Sequence, residues 1–369
     1  MGSSVFSFPW LCWPIKLLSN IRIIKLDSCE VSVQKQVAEG AFGTVFRVEA
    51  LVDNGKIRKG ERYALKQLFC QSDEQYDDAR LELEALQRFK GHDHIIELLG
   101  SSSNPTDGSK TLHFLFPFCA SGTVWDVMAR SDVLSPQSSL PWPFAEKHIL
   151  YVIGCVAKAL QHMHSHGYSH RDVKPHNILL SSHDAGEDDD RDRDRGFRDL
   201  GRPLLMDLGS VAPSRVAVAS KKEALRIEEE AALKSSAAYR APELTSVPFP
   251  PCELDERVDV WSLGCSLHCM ASGRSPFESE KEGVLRLAIL NGKYSLPAGA
   301  DRDGPAGAAA DKGRAARTAK GQGKGRGVAL SPAAAALLSA MLRVDHRDRP
   351  SAGDVAGLCD NLLRGDNIV

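Results

Sequence analysis

The octapeptide His170-Arg171-Asp172-Val173-Lys174-Pro175-His176-Asn177 constrains this chain more than any other stretch. An acid, a lysine two residues on and an amide five residues on make a set for phosphoryl transfer. The aspartate accepts the proton of a nucleophile, the lysine offsets charge on the transferred group, and the asparagine carbonyl is a metal ligand. Chance rarely assembles so long a string, so it decides how weaker motifs are read. Asp207 in Leu205-Met206-Asp207-Leu208-Gly209 follows an apolar run and precedes a glycine, which suits a magnesium ligand on a loop. Alone it would be an ordinary Asp-x-Gly turn.

Two motifs lie upstream. Glu39-Gly40-Ala41-Phe42-Gly43-Thr44-Val45 places glycines between two strand-like runs, where a backbone without Cβ atoms can close over phosphates. A hairpin turn explains it equally well, and Ala38 stands where a three-glycine loop has its first glycine. Tyr63-Ala64-Leu65-Lys66 ends an apolar strand on a lysine, which needs an anionic partner if it is desolvated. Glu82 is the first candidate and Glu84 the fallback; a lysine snorkelling at a strand edge is the plainer alternative. Downstream, Glu243 in Tyr239-Arg240-Ala241-Pro242-Glu243 requires a cation if buried, and Arg349 is the obvious one.

The pattern between these motifs divides the chain. Val31–Val37, Thr44–Val52, Arg62–Leu68 and Leu112–Phe118 read as strands, and Gln75–Phe89 as a helix presenting Leu81, Leu86 and Phe89. Past Phe144 the character is helical, with His148–His166, Val258–Ser272 and Ser331–Leu342, the last opened by Pro332. The expectation is an α+β, two-lobed fold with a small β-rich part and a larger helical part. Residues 181–202 are dense in Asp and Arg, and residues 298–327 in Gly, Ala, Lys and Arg. Both read as solvated insertions with too little apolar surface to offset ordering entropy. Within the second half, Lys221–Lys234 consists of strong helix formers with Arg226–Glu230 and Glu230–Lys234 at i,i+4, which predicts an ordered helix. His162, His164 and His166 read as surface or capping histidines, and Cys265 and Cys269 as core thiols.

Composition narrows the partners. Lys+Arg number 46 against 48 Asp+Glu, a formal charge of -2, so nucleic acid is not expected as a main partner. A hydrophobic share of 43% supports a real core. Nine cysteines without a CxxC pair give neither a disulfide framework nor a structural zinc site, which fits a reduced, cytoplasmic chain. Val5–Ile24 is apolar, but Pro9, Pro14, Lys16 and Arg22 interrupt it, so neither a transmembrane helix nor a secretory signal is expected. Gly2 is a candidate for myristoylation, although Phe6 holds the position where Ser or Thr is wanted and Ser7 comes one later. Cys12, between Leu11 and Trp13, is a candidate palmitoyl acceptor and the second signal that one acyl chain requires. A disordered or core-docked leader is the alternative.

In this order the motifs resemble those of eukaryotic protein kinases, from about Ser28 to Leu363. Lys174 in the octapeptide resembles Ser/Thr rather than Tyr kinases, and Ser236 falls where such kinases carry a Thr near the substrate. Met206-Asp207-Leu208-Gly209-Ser210 in place of Asp-Phe-Gly, Gly167-Tyr168-Ser169-His170, Ala241-Pro242-Glu243-Leu244 and Asp255–Cys265 are similar to the Numb-associated kinase family. The resemblance implies a leader over 1–27 and a kinase domain over 28–363, with lobes near 28–116 and 120–363. It implies ATP and magnesium as cofactors and a protein hydroxyl as substrate. Val37, Gly40, Gly43, Val45, Ala64, Lys66, Glu82, Phe116, Phe118 and Cys119 would surround ATP, with Pro117-Phe118-Cys119 as the hinge. Asp172, Lys174 and Asn177 would be catalytic, and Asn177 and Asp207 metal ligands. Arg171, Glu243, Asp259 and Arg349 would be structural, Asp259 anchoring the catalytic loop through backbone contacts. Arg171 would also accept a phosphate added at Ser210, Ser214 or Ser220. The family carries an extra helix where Leu244–Glu256 stands, and the likeness extends to lipid anchoring on Golgi and secretory membranes and to autophosphorylation. A pseudokinase scaffold and a membrane-tethered adaptor are the alternatives; retention of Lys66, Asp172, Asn177 and Asp207 together argues against a scaffold.

Overall fold

An antiparallel sheet occupies the first third of the chain. The computed structural model describes residues 22–40, 43–104, 110–129, 142–181, 200–297 and 327–365. Gly2, Cys12, Ala41, Phe42 and most of both insertions lie outside them. Strands β1 (Ile23–Lys25), β2 (Glu30–Gly40), β3 (Gly43–Ala50) and β4 (Arg62–Cys70) are followed by helix α1 (Asp73–Arg88), then β5 (Gly100–Asn104) and β6 (Lys110–Pro117). The sheet runs β1-β2-β3-β4-β6-β5. Strand alternation gives β4 two faces. Tyr63 and Leu65 join a small core with Ile24, Val31, Val48, Ile57 and Leu115. Ala64, Lys66 and Leu68 face the other way, and Leu68 belongs to the main core. The register sets Ala64 opposite Phe116 and Lys66 opposite both Val45 and Phe114.

Ser72 caps α1 by accepting the Gln75 N–H, and Asp73 and Glu74 complement the helix dipole in the first turn. Its inward face is Ala79, Glu82, Ala85 and Leu86. Leu81, expected to be buried, is exposed. A carboxylate therefore takes the place on the inner face that apolar periodicity gives to leucine.

The helical part begins with α2 (Val124–Ala129) and α3 (Glu146–Ser165). Short pairs follow: β7 (Tyr168–Ser169), β8 (Ile178–Ser181), β9 (Arg202–Leu205), β10 (Ala212–Pro213) and β11 (Val216–Val218). Then come α4 (Lys221–Lys234), α5 (Pro242–Thr245), β12 (Cys252–Leu254), α6 (Arg257–Ser272), α7 (Arg286–Asn291), α8 (Pro332–Met341) and α9 (Ala352–Arg364). Helices α3 and α6 are apolar on nearly every side and form the middle of the core. Gly273, at φ 88°, ends α6 in the left-handed conformation that favours glycine.

Strand β8 pairs with β9 and Ser181 stands opposite Arg202, which brings together the described residues on either side of the acidic insertion. The helix expected over Leu244–Glu256 is not there. Helix α5 stops at Thr245, Pro248, Pro250 and Pro251 remove the N–H groups a helix needs, and β12 pairs with β11. The helix forms earlier, as α4, over the residues whose propensity predicted it.

Candidate active site

Lys66 Nζ lies 2.7 Å from Glu82 Oε1 and 3.3 Å from Asp207 Oδ1. Strand β4, helix α1 and the loop after β9 thus converge on one ammonium. Burial opposes its charge, but the two carboxylates more than offset this and hold the lysine above its ordinary pKa. Burial also raises the Glu82 carboxyl, against the pull of Lys66. Burial acts the same way on Asp207, yet Lys66 draws that carboxyl below its usual range. Glu84, the fallback, instead faces Arg80 on the outside of α1.

Asp172 is held from three sides. Ser236 N–H donates to Oδ1 at 2.8 Å, Lys174 Nζ to Oδ2 at 2.7 Å and Asn177 Nδ2 to Oδ2 at 3.1 Å. Lys174 also reaches Ser236 Oγ at 2.7 Å, so the lysine joins the aspartate to the segment before α5. Asn177 Nδ2 donates to the Asp172 carbonyl as well, at 2.8 Å. Its amide hydrogens are directed at Asp172, and the remaining atom, Oδ1, is the hard oxygen that magnesium takes.

Two clips join the catalytic loop to Asp207. Met206 N–H donates to the Asn177 carbonyl at 2.9 Å. His170 Nδ1 accepts the Asp172 N–H at 3.2 Å, which leaves Nε2 as the N–H donor to the Met206 carbonyl at 3.1 Å. Arg171 (φ 66°) and Asp207 (φ 63°) are the non-glycine residues with positive φ among those described. Each such conformation costs about 1–3 kcal/mol, and both flank this site. Asp259 supports the first: its carboxylate accepts the N–H groups of His170 at 2.8 Å and Arg171 at 2.7 Å.

The remaining expected positions are found as follows. Gly43 is required by the sheet, since a Cβ there would fall on the Gln67 carbonyl, whereas Gly40 opens onto free space. Of the two, Gly40 is the one with room for a ligand to approach. Val37 sits at a register irregularity between Gln36 and Ala38 and is 53% exposed. Val45 and Ala64 line the sheet face that carries Lys66. Phe116 is buried at the end of β6, Phe118 and Cys119 follow it half-buried, and burial raises the Cys119 thiol to about 11.

Glu243 and Arg349 form a fully buried bidentate pair at 2.6 and 2.8 Å. Arg171 Nη2 donates to the Pro213 carbonyl at 3.1 Å, Glu230 on α4 adds a favourable charge, and Nε is buried without a partner among the described residues. The three serines expected as phosphate acceptors are occupied. Ser210 donates to the Lys234 carbonyl, Ser214 is buried, and Ser220 caps α4. Of the two i,i+4 pairs expected in α4, Arg226–Glu230 forms, while Lys234 turns to Asp78 on α1 at 2.7 Å.

One functional residue was misread from the sequence. His164, expected at the surface or at a cap, keeps only 9% of its side chain exposed and bonds Asp259 Oδ2 at 2.8 Å through Nε2. Its spacing from His162 and His166 suggested a polar helix end; only the contact with α6, nearly a hundred residues on, reveals its role. The thiols of Cys265 and Cys269 are in the core, as expected.

A cation pinned between two carboxylates, beside an aspartate and an asparagine on a strained loop, defines the site of a Ser/Thr protein kinase. The chain belongs to the protein kinase domain family, whose profile matches residues 31–358. It is 34% identical to mouse serine/threonine-protein kinase 16 over 74% of this chain and 79% of the relative. The human protein of that name is 33% identical over 71% and 76% respectively. A probable serine/threonine-protein kinase of Dictyostelium discoideum is 30% identical over 79% and 87%. These likenesses carry the relationship to the Numb-associated kinases that the motifs pointed to.

Proposed function

We propose that the protein transfers the γ-phosphoryl group of ATP to Ser or Thr hydroxyls of proteins, with the named side chains in the roles their surroundings suit. The observation that carries this reading is the meeting of Lys66, Glu82 and Asp207 within ion-pair distance, clipped through His170 and Met206 to Asp172. Lys66 grips phosphate oxygens, with Glu82 fixing its position. Asp172 orients the incoming hydroxyl and takes its proton as the new O–P bond forms and the bond to ADP breaks. Lys174 offsets charge beside it. Asp207 and Asn177 Oδ1 would hold magnesium, which when bound neutralises phosphate charge. Most of the catalytic effect is positioning and electrostatics. Val37, Gly40, Val45, Ala64, Phe116, Phe118 and Cys119 enclose the nucleotide, and Gly43 lets β3 lie close against Gln67.

Purified protein incubated with radiolabelled ATP, magnesium and a generic protein substrate tests this. Asp172→Asn should abolish incorporation while nucleotide binding persists. Incorporation that survives the change sinks the mechanism.

We further propose peripheral attachment to secretory-pathway membranes through Gly2 and Cys12, and autophosphorylation. The family resemblance and the apolar leader with an N-terminal Gly support the first; among the described residues no helix is long and apolar enough to cross a membrane. Gly2→Ala should move the protein from membranes to cytosol, and an unchanged distribution rejects the idea. Intact mass after incubation with ATP alone tests the second.

A further inference from the structure

The turn that carries Asn177 is short. Pro175–Asn177 is a single 3-10 turn, closed by Asn177 N–H donating to the Lys174 carbonyl at 2.9 Å. Hydrogen bonds in such turns have poor geometry, so side-chain contacts decide how firmly the turn is held. Pro175 and Asn177 are buried, while His176 between them is exposed. The imidazole of His176 lies flat on the indole of Trp125, with 4.4 Å between ring centroids and 19° between planes.

Helix α2 makes Trp125 a firm support. Val124 and Met128 are fully buried, and Trp125 packs against the main core. The start of the helix is fixed as well. Thr123 N–H and Oγ1 both donate to Asp126 Oδ2 at 2.8 Å, and Asp126 N–H donates to Thr123 Oγ1 at 3.0 Å. Gly122, at φ 74°, lets that carboxylate come close, since a Cβ there would lie 2.6 Å from Asp126 Oδ2. The same glycine joins the expected hinge to the catalytic loop. Its N–H donates to the Cys119 carbonyl at 3.1 Å, and its carbonyl accepts the Leu180 N–H at 2.9 Å. Thr123 forms a bridge with Leu179 on the same strand. The segment after Cys119 therefore holds the Asn177 turn twice, through β8 behind it and through the aromatic stack on its outer side.

We propose that Trp125 and His176 are positioning residues for the metal ligand Asn177. The inference rests on the kinase reading and assigns work to two side chains which that reading leaves without any. Groups behind a metal ligand set its direction, and removing them weakens metal binding. An aromatic stack is weaker than a direct hydrogen bond to the ligand, and Asn177 keeps its bonds to Asp172, so a shift of about fivefold is expected.

Binding of a fluorescent ATP analogue, titrated with magnesium, reads this without any transfer step. In the wild type, magnesium should tighten nucleotide binding. His176→Ala changes an exposed side chain, so it should leave the metal-free affinity unchanged. It should raise the magnesium concentration for half-maximal tightening about fivefold. Trp125→Leu should give the same shift, and Trp125→Phe should return it to within about twofold of the wild type. The double variant His176→Ala/Trp125→Leu should be no worse than either single one, because both remove the same contact. The magnesium concentration for half-maximal kcat should move in step. An unchanged magnesium dependence in His176→Ala overturns the proposal, as do additive shifts in the double variant. Metal-free affinity that falls in Trp125→Leu as far as affinity with magnesium would show that α2 supports the hinge alone, and overturns it too. If magnesium does not tighten nucleotide binding to the wild type, the kinase reading itself fails, and this inference with it.

Discussion

His164 Nε2 stands 2.8 Å from Oδ2 of Asp259, a carboxylate wholly buried beneath the catalytic loop. Burial would raise the Asp259 pKa, but the bond and charge of His164 and the Arg171 N–H hold it below the usual range. Asp259 in turn holds Arg171 in its left-handed conformation, and that places Asp172. His164→Ala leaves a buried charge short of a partner, at a cost of about 1–3 kcal/mol. We expect a lower kcat with little change in KM for ATP, and partial recovery in His164→Gln, which keeps a donor. Steady-state kinetics on the two variants decide it; equal kcat in wild type and His164→Ala would remove His164 from the positioning chain.

The Glu243–Arg349 pair ties α5 to the turn before α9. Arg349 also donates to the carbonyls of Arg343, Val344 and Arg257, and stacks over Trp261 with 5.0 Å from Cζ to the ring centroid. Removing one half strands a buried charge, so Arg349→Met should cost about 3–5 kcal/mol in denaturant unfolding. Arg349→Lys should be nearly as damaging, because one ammonium cannot replace the fork and its carbonyl bonds. A loss below ~1 kcal/mol for Arg349→Met would contradict the claim that the pair is isolated from water.

How much of this was legible beforehand depends on the distance over which each signal acts. The octapeptide, Lys66 and Asp207 carry their chemistry in local spacing, and the structure brings them together. Helix α4 was legible because Lys221–Lys234 has the propensity and the Ser220 cap within one stretch. Glu82 could be chosen over Glu84 only as a candidate, since both are helical and near Lys66 in sequence; the facing of α1 decides. His164 was read wrongly because its partner lies on α6, and sequence spacing contains no such contact. The helix assigned to Leu244–Glu256 came from family likeness, against three local prolines, and the prolines prevailed.

Acid sensitivity follows from His113. Its Nδ1 is 3.1 Å from Ser102 Oγ, while Nε2 is buried without a partner among the described residues. Burial, aided by the charge of Arg22, lowers its pKa to about 4. The unfolded chain takes up this proton near the ordinary value of about 6.5, and the folded protein resists until about 4. Below 6.5 the unfolded state therefore binds more protons, and stability falls as pH falls, by about 1.4 kcal/mol per unit from this residue at most. Because His113 is only 7% exposed, solvent screening is small. His113→Gln should narrow its stability deficit against the wild type, or overtake it, as pH drops from about 6.5 to 5. A constant difference across that range would show that His113 titrates normally.

The ordering of α4 predicts how the activity is switched. Its inner face, Ala224, Ile227 and Ala231, packs into the core, Glu228 accepts the Val247 N–H at 2.7 Å, and Lys234 bonds Asp78 on the helix that carries Glu82. None of these contacts needs a phosphate, and Glu230 already provides negative charge near Arg171. Phosphatase-treated protein should therefore keep kcat within about twofold of untreated protein. Ala231→Pro removes a helical N–H and clashes with the preceding turn, a cost of about 3 kcal/mol or more, and should abolish transfer while ATP binding persists. Lys234→Met, which breaks a partly exposed pair, should lower kcat only a few-fold. Activity that vanishes on phosphatase treatment and returns with an upstream kinase would mean that α4 depends on an added phosphate for its order.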